Sequence, residues 1–186
     1  LPIPHYKRPD IKNASGPYSS DSSNIDLIDL IIGSEGIFGL IVSCKLSLLN
    51  RPKEYLNLFL QLESENQALD LYTHLYNYFN KDMSKVFALE YFGYNCQNYM
   101  KHKDFFFNSD NQVGLYIKVP IYNNSIENKS LEWFEILKKF NNKIKSEEII
   151  VLNDKKNMEL FFEARHSIPD NALIKTKSSN GISIIT

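Results

Sequence analysis

The chain has 186 residues, 43% hydrophobic and 23% charged, a composition that excludes a disordered protein and suits one domain or one domain plus part of another. Its 21 basic and 22 acidic residues give a net charge of −1, without the clustered positive charge of a nucleic-acid-binding surface. No apolar run approaches the roughly 20 residues of a transmembrane helix. Cys44 and Cys96 match neither a disulfide framework nor a zinc site. We therefore expect a globular protein of the reducing cytoplasm, with peripheral membrane association left open.

The first fifty residues predict little regular structure. Residues 1 to 24 are rich in Pro, Ser, Asn and Gly, as loops are. A short helix is predicted over Ile25–Ile32, and Gly33 would end it as the first residue beyond the helix. After a glycine-rich turn, apolar and polar residues alternate over Leu40–Leu49, which is the pattern of a half-buried strand. A linker follows, so we place the domain boundary between residues 50 and 51.

Residues 51–186 show a regular succession of strands and helices. Strands are predicted over Tyr55–Leu62, Val86–Phe92, Val113–Ile121 and Ile149–Leu152, and helices from a Ser64–Gln67 capping box to about Phe79, from a cap at Ser130, and from Asp154 to about His166. The order is βαββαβ, which predicts an α+β fold of the ferredoxin-like plait type.

Apolar residues at helical spacing predict which helix faces are buried. The first helix would turn Leu69, Tyr72, Tyr76 and Phe79 inward, and the second Trp133, Leu137, Phe140 and Ile144. We interpret these aromatic stripes as core. Pro169 is expected to stop the third helix, since proline cannot continue one, and the polar tract Lys175–Asn180 is expected to be a loop.

One string carries a resemblance to a known family. Gly33-Ser34-Glu35-Gly36-Ile37-Phe38-Gly39-Leu40-Ile41 resembles the Gly-Ser-Glu-Gly-Thr-Leu-Gly-Ile-Ile segment of FAD-linked oxidases of the D-lactate dehydrogenase and glycolate oxidase type. Upstream, Lys12-Asn13-Ala14-Ser15-Gly16 is similar to the family's Lys-Asp/Asn-Ala-Ser/Ala-Gly stretch. Downstream, Phe161–Pro169 is similar to its Trp-x-x-Arg-x-x-Ile/Ser-Pro element. The resemblance spans nearly the whole chain.

The resemblance implies a domain organisation and a cofactor. Residues 1–50 would be the last helix and strand of the FAD-binding domain, and residues 51–186 an incomplete substrate, or cap, domain. The cofactor-binding residues would be Gly33, Ser34, Glu35, Gly36, Gly39, Leu40 and Ile41. Glycines suit this place, because backbone without side chains can approach a ligand and offer it N–H groups. From the residues alone, the alternative is that the string is a helix end followed by a glycine turn into a strand.

Arg165 is the candidate substrate-binding residue. Its guanidinium offers a planar fork of donors that matches the carboxylate of a 2-hydroxy acid, and by resemblance it belongs to the element facing the flavin. The alternative is an exposed helical arginine paired with Glu159, Glu163 or solvent. His166 would point about 100° away from Arg165 on a helix. The other histidines, His5, His74 and His102, are scattered, and we predict no metal site.

The predicted activity is that of a longer protein. We expect an oxidoreductase that oxidises a D-2-hydroxy acid such as lactate or glycolate by hydride transfer to flavin, with an unidentified electron acceptor. The family's pyrophosphate-binding loops would precede Leu1 and its histidine-rich element would follow Thr186, so the chain alone should be inactive. Ile37-Phe38 replaces the family's Thr-Leu, which removes a hydroxyl near the flavin. The alternatives are a catalytically inactive relative serving as a binding or assembly module, and an independent ligand-binding plait.

Overall fold

A computed structural model describes residues 27–140, 144 and 146–179. The chain divides into two compact units, Leu1–Leu49 and Asn50–Thr186. This division lies one residue before the predicted boundary. The predicted loop over residues 1–24 and the predicted start of the first helix lie outside the described residues.

The first unit contains one short helix. Helix α1 spans Leu27–Ile31, and Gly33 follows it at φ +75°, the left-handed conformation typical of a residue beyond a helix end. The strand predicted over Leu40–Leu49 is wrong: this segment has no strand structure, and Leu40 and Leu48 are 89% and 87% exposed. A strand requires a hydrogen-bonded neighbour, and no described residue pairs with this segment.

The second unit contains the sheet and the longer helices. In chain order the elements are β1 (Glu54–Leu62), α2 (Glu65–Tyr78), β2 (Ala88–Phe92), α3 (Lys103–Phe106), β3 (Val113–Ile121), α4 (Ile126–Phe140), β4 (Ile149–Val151) and α5 (Lys155–Ser178). The strands form a four-stranded antiparallel sheet in the order β2-β3-β1-β4. Helices and an antiparallel sheet give the α+β class that the sequence predicted. No described helix is both long and apolar enough to cross a membrane.

One face of the sheet packs against α2 and α4. The even-numbered leucines of β1, from Leu56 to Leu62, lie on this face, as their alternation predicted. Trp133 and Leu137 of α4 are buried against them, also as predicted. The predicted inward face of α2 is only partly right. Phe79, at the end of the helix, packs against this core as predicted, but Leu69 and Tyr72 are exposed and the buried residues are Ala68, Leu71 and Leu75.

The opposite face of the sheet is covered by α5 and by the segment between β2 and β3. Its core is aromatic, with Phe59 at the centre; the other buried residues are Phe92, Met100, Phe106, Phe107, Tyr116, Leu152, Phe161 and Ala164. Because both faces are covered, β1 is buried along nearly its whole length, including Asn57 and Gln61. Their amides are satisfied: Tyr116 donates to Asn57 at 2.7 Å, and Asn108 donates to Gln61 at 2.7 Å.

Two helix starts were predicted with different success. Asp154 caps α5 as expected, accepting a hydrogen bond from the Asn157 N–H at 2.9 Å. Helix α4 begins at Ile126, before the predicted cap at Ser130. Ser125 provides that cap by accepting from the Asn128 N–H at 3.3 Å, while the Ser130 hydroxyl bonds the Ile126 carbonyl inside the helix.

The edge of β1 beside β4 is completed by a side chain. Strand β4 pairs only with Leu58–Leu60, and the Leu152 N–H donates to the Asn57 carbonyl just beyond it. Next along the edge, the Asn153 amide accepts from the Asn57 N–H at 2.8 Å and donates to the Tyr55 carbonyl at 2.6 Å. The amide thus bonds β1 as one more peptide group of β4 would.

Helix α5 continues well past its predicted end. It runs through Pro169 to Ser178, so both the predicted stop near His166 and the predicted loop from Lys175 are wrong. Tertiary contacts hold the second half: the Lys101 N–H donates to the Ser167 hydroxyl at 2.8 Å, and Asn171 donates to the Tyr99 carbonyl at 2.7 Å. These contacts outweigh the local cost of a proline in a helix.

Replacing Pro169 by alanine is expected to raise the free energy of unfolding by about 2 kcal/mol. Proline destabilises a helix interior by about 3 kcal/mol relative to alanine. It also restricts the unfolded chain, which stabilises the folded protein by about 1 kcal/mol, so the net gain from alanine is about 2 kcal/mol. Pro169 is exposed, so alanine removes little packing. Urea denaturation followed by circular dichroism would measure the change. Asp170→Ala, at the next exposed position, is the control and should change stability by less than about 0.5 kcal/mol. A loss of stability in Pro169→Ala would contradict the prediction.

Candidate functional site

The glycine turn after α1 has an unusual backbone. Glu35 and Gly36 both have positive φ, +50° and +86°, and the Ile37 N–H donates to the Ser34 carbonyl at 3.0 Å. Two central residues at positive φ are the mark of a type I′ turn. Glycine adopts this conformation freely, whereas for Glu35 it carries a conformational cost.

The same turn offers backbone donors. Within the part of the chain that the structure describes, the N–H groups of Glu35, Gly36 and Phe38 donate to no backbone carbonyl. All three residues are exposed, and a Cβ placed on Gly36 would meet nothing within 4 Å. A polar ligand atom could therefore approach the backbone here without a side chain in its way. Of the other predicted cofactor residues, Ser34 is half-buried, while Gly33, Gly39, Leu40 and Ile41 are exposed.

Arg165 lies on α5, in the second unit, and its guanidinium is engaged by Glu90 of β2. Its Nε donates to Glu90 Oε2 at 2.7 Å, and its Nη2 donates to Oε1 at 3.1 Å. This is a two-point ion pair, and it raises the pKa of Arg165 mainly through the hydrogen bond to Glu90. The alternative partners named from the sequence are used elsewhere: Glu163 pairs with His102 at 2.8 Å and Glu159 with Lys155 at 3.8 Å.

The pair stands beside a buried polar contact on the sheet. Glu90 is the direct neighbour of Tyr116 across β2 and β3, and Tyr116 stacks on Phe161 of α5 with ring centroids 4.4 Å apart. Burial raises the pKa of Tyr116 to about 12, with a smaller contribution from Glu90. The phenol therefore stays protonated at neutral pH and donates to Asn57.

No family model and no curated protein match this chain.

The histidines that the structure describes contact other groups of the protein. The His74 ring bonds the Ile136 carbonyl at 3.1 Å, His102 pairs with Glu163, and His166 stacks on Phe162. His5 lies outside the described residues. Among those described, no three His, Cys, Asp or Glu side chains are grouped as metal ligands would be.

The two cysteines differ in exposure. Cys44 is exposed and Cys96 half-buried, and both are free thiols. Burial raises the pKa of Cys96 to about 11. The thiolate is the reactive form, so Cys96 is a poor nucleophile at neutral pH.

The sequence predicted the glycines and Arg165 as candidate site residues, but it did not predict Glu90. The glycine turn and Arg165 belong to different units. Glu90 carried one available signal: it is the only charged residue in the apolar strand Ala88–Phe92. A charge inside a half-buried strand is expected to have a partner. The partner lies 75 residues away, so the sequence could not name it.

Proposed function

We propose that the chain belongs to an FAD-dependent oxidoreductase acting on a D-2-hydroxy acid of the lactate or glycolate type. It would contribute the end of the FAD-binding domain and most of the cap domain. The observation that carries the proposal is the Gly33–Gly39 turn, whose sequence resembles the flavin-facing segment of that family. Its positive φ values suit the close approach of a cofactor, as do the N–H groups of its exposed residues that bond no other described residue.

We also infer that the second unit is a ferredoxin-like plait. In support, its strands and main helices follow one another as βαββαβ up to β4, and its sheet order is β2-β3-β1-β4 with antiparallel neighbours throughout. That order places β3 between β1 and β2, and β1 between β3 and β4, as two split βαβ units require. The covering of the second face by α5 would be an addition to the basic plait.

The residues suit distinct roles in such a reaction. The N–H groups of Glu35, Gly36 and Phe38 could bond polar edges of the flavin or its phosphates, and the absence of a side chain at Gly36 leaves room for them. Arg165 would bind the substrate carboxylate and so orient the hydroxyl-bearing carbon. When bound, the flavin supplies the hydride acceptor. Of the histidines that the structure describes, His102 is paired with Glu163, His166 stacks on Phe162 and His74 bonds the Ile136 carbonyl.

A second candidate function is a binding or assembly module without flavin. A specific feature favours it: an apolar groove of about 390 Å³ lies between α2 and the edge strand β2. It is lined by Ala68, Leu69, Tyr72, Leu89, Tyr91 and Leu115, with one charged residue, Glu65. An extended segment of another protein could add to such an edge and place side chains in the groove.

Visible absorption spectra distinguish the two candidates. Bound flavin absorbs near ~370 and ~450 nm, and the longer protein that we infer to contain this chain should show both bands on purification. The 186-residue chain alone should be colourless, since we expect most of the flavin contacts in the preceding part of the FAD-binding domain. If the longer protein is colourless and takes up no added FAD, the oxidoreductase proposal fails and the binding module is favoured.

Arg165→Ala in the flavin-containing enzyme is expected to lower kcat/KM for D-lactate by about 100-fold or more. Losing the carboxylate contact leaves the reacting carbon misplaced, and a small misplacement already costs about 100-fold. Lys155→Ala, at the exposed start of the same helix, removes a positive charge but leaves Arg165 in place. This control should leave kcat/KM unchanged. Steady-state kinetics would measure both variants. An unchanged kcat/KM in Arg165→Ala would show that the assignment is wrong.

A further inference from the structure

The Glu90–Arg165 pair leaves part of the guanidinium free. Arginine has five N–H donors, and Glu90 takes one on Nε and one on Nη2. Both Nη1 donors and the second Nη2 donor remain. Within the described residues, Nη1 makes no hydrogen bond, and the Arg165 side chain is 41% exposed. The outer edge of the guanidinium, Nη1 with the second donor of Nη2, is therefore a second fork that Glu90 does not use.

That outer fork has the geometry of a carboxylate site. Guanidinium binds carboxylates in two ways, through Nε and Nη2 from the side or through Nη1 and Nη2 from the end, each with two parallel hydrogen bonds. Glu90 occupies the side. A ligand carboxylate could take the end without displacing Glu90, so the ion pair and the ligand contact can coexist.

Both partners of the pair are mounted on rigid elements. Glu90 sits within β2, hydrogen-bonded to β3 beside Tyr116. Helix α5 is fixed on either side of Arg165 by the buried Phe161 and by Ser167, which accepts the Lys101 N–H. A free arginine loses rotamer entropy when it binds a ligand, whereas one already held loses less. Glu90 thus fixes the direction in which the outer fork points.

We infer that Glu90 is a positioning residue that holds Arg165 from the side, so that the free Nη1–Nη2 edge binds the carboxylate of a small 2-hydroxy acid. The inference deepens the proposed function and rests on it for the identity of the ligand. It adds to the proposed function a positioning residue, Glu90, and the guanidinium edge that binds the ligand. It also predicts the direction in which Glu90 changes the affinity for the ligand. A carboxylate that only neutralised Arg165 would weaken ligand binding, whereas one that positions it strengthens binding.

The test measures D-lactate binding to the 186-residue chain in the absence of flavin. The Nε–H resonance of Arg165 should be protected by Glu90 in ¹⁵N NMR, and D-lactate should shift the arginine side-chain signals while neutral D-lactamide does not. We expect Glu90→Ala to weaken D-lactate binding by about 10-fold, because an arginine that is no longer held must lose its rotamer freedom on binding. Arg165→Lys should abolish it, because a lysine has no fork. Glu163→Gln, which breaks the His102 pair two residues from Arg165, is the matched control and should bind as the unmodified chain does.

Two results would overturn the inference. Binding that is equal or tighter in Glu90→Ala would show that Glu90 masks Arg165 rather than positioning it. Absence of lactate-dependent shifts in the unmodified chain would show that the outer fork takes no carboxylate. A thermal melt of each variant confirms that it is folded before binding is compared. Because binding is measured without flavin, this result is independent of the absorption spectrum that tests the oxidoreductase proposal.

Discussion

Replacing Phe59 by alanine is expected to lower the free energy of unfolding by about 3 to 5 kcal/mol, the usual cost of removing a buried phenylalanine. Phe59 is fully buried, and its ring meets four others: the centroids of Phe92, Phe106, Phe107 and Phe161 lie 5.6, 5.0, 5.5 and 6.2 Å away. These rings come from β2, the connection to β3, and α5. Deleting the central ring leaves a cavity that none of the rigidly held neighbours can fill.

Urea denaturation is the measurement, with Phe162→Ala as the matched control. Phe162 is an aromatic residue of α5 that is 46% exposed, and its removal should cost less than about 0.5 kcal/mol. If Phe59→Ala also cost less than about 1 kcal/mol, the aromatic core against α5 would not be packed as described. Such a result would remove the support on which Arg165 is mounted.

Gly114→Ala is expected to lower the free energy of unfolding by about 3 kcal/mol, the upper end of the usual range for overpacking. Gly114 lies in β3, and an added Cβ would overlap Cζ of Phe59 and stand 3.0 Å from its Cε2 and 3.1 Å from Phe107 Cζ. The Phe59 ring is enclosed by other aromatics and has no space into which it could move. A single methyl group must therefore displace the strand or the ring.

A double-mutant cycle tests the cause. In a Phe59→Leu background the side chain at position 59 is smaller, so Gly114→Ala should cost at least 1 kcal/mol less than it does alone. Gly93→Ala is the control: the three atoms nearest to its Cβ would belong to Tyr91, a half-exposed side chain, and the closest would stand 3.3 Å away. Equal costs for Gly114→Ala in both backgrounds would show that Phe59 is not the obstacle.

The parts of the fold that were predictable are those with local signals. Strands β1 and β3 alternate strongly, and the Asp154 cap is a property of a few adjacent residues. The face of α2 was misjudged because the large Leu69 and Tyr72 outweighed Ala68 in the pattern, although Ala68 is the buried residue. Size and hydrophobicity do not determine the helix face when a small residue fits closest to the sheet.

The second face of the sheet was not predictable from local signals. Asn57 and Gln61 are polar residues of β1 that would suit a solvent-exposed face, but both are buried, and Tyr116 and Asn108 satisfy their amides. Those partners lie 59 and 47 residues away. A separation of 75 residues likewise hid the pairing of Glu90 with Arg165. The glycine turn was predictable because the requirement for positive φ selects a residue type directly.

The Asn153 amide has a consequence for self-association. An edge strand with unpaired N–H and C=O groups is a template on which another chain can add a strand and begin a fibril. Strand β4 is only three residues long, so β1 would otherwise present such groups beside Tyr55 and Asn57. The Asn153 side chain occupies both. One amide side chain thus keeps this stretch of backbone from recruiting a second molecule.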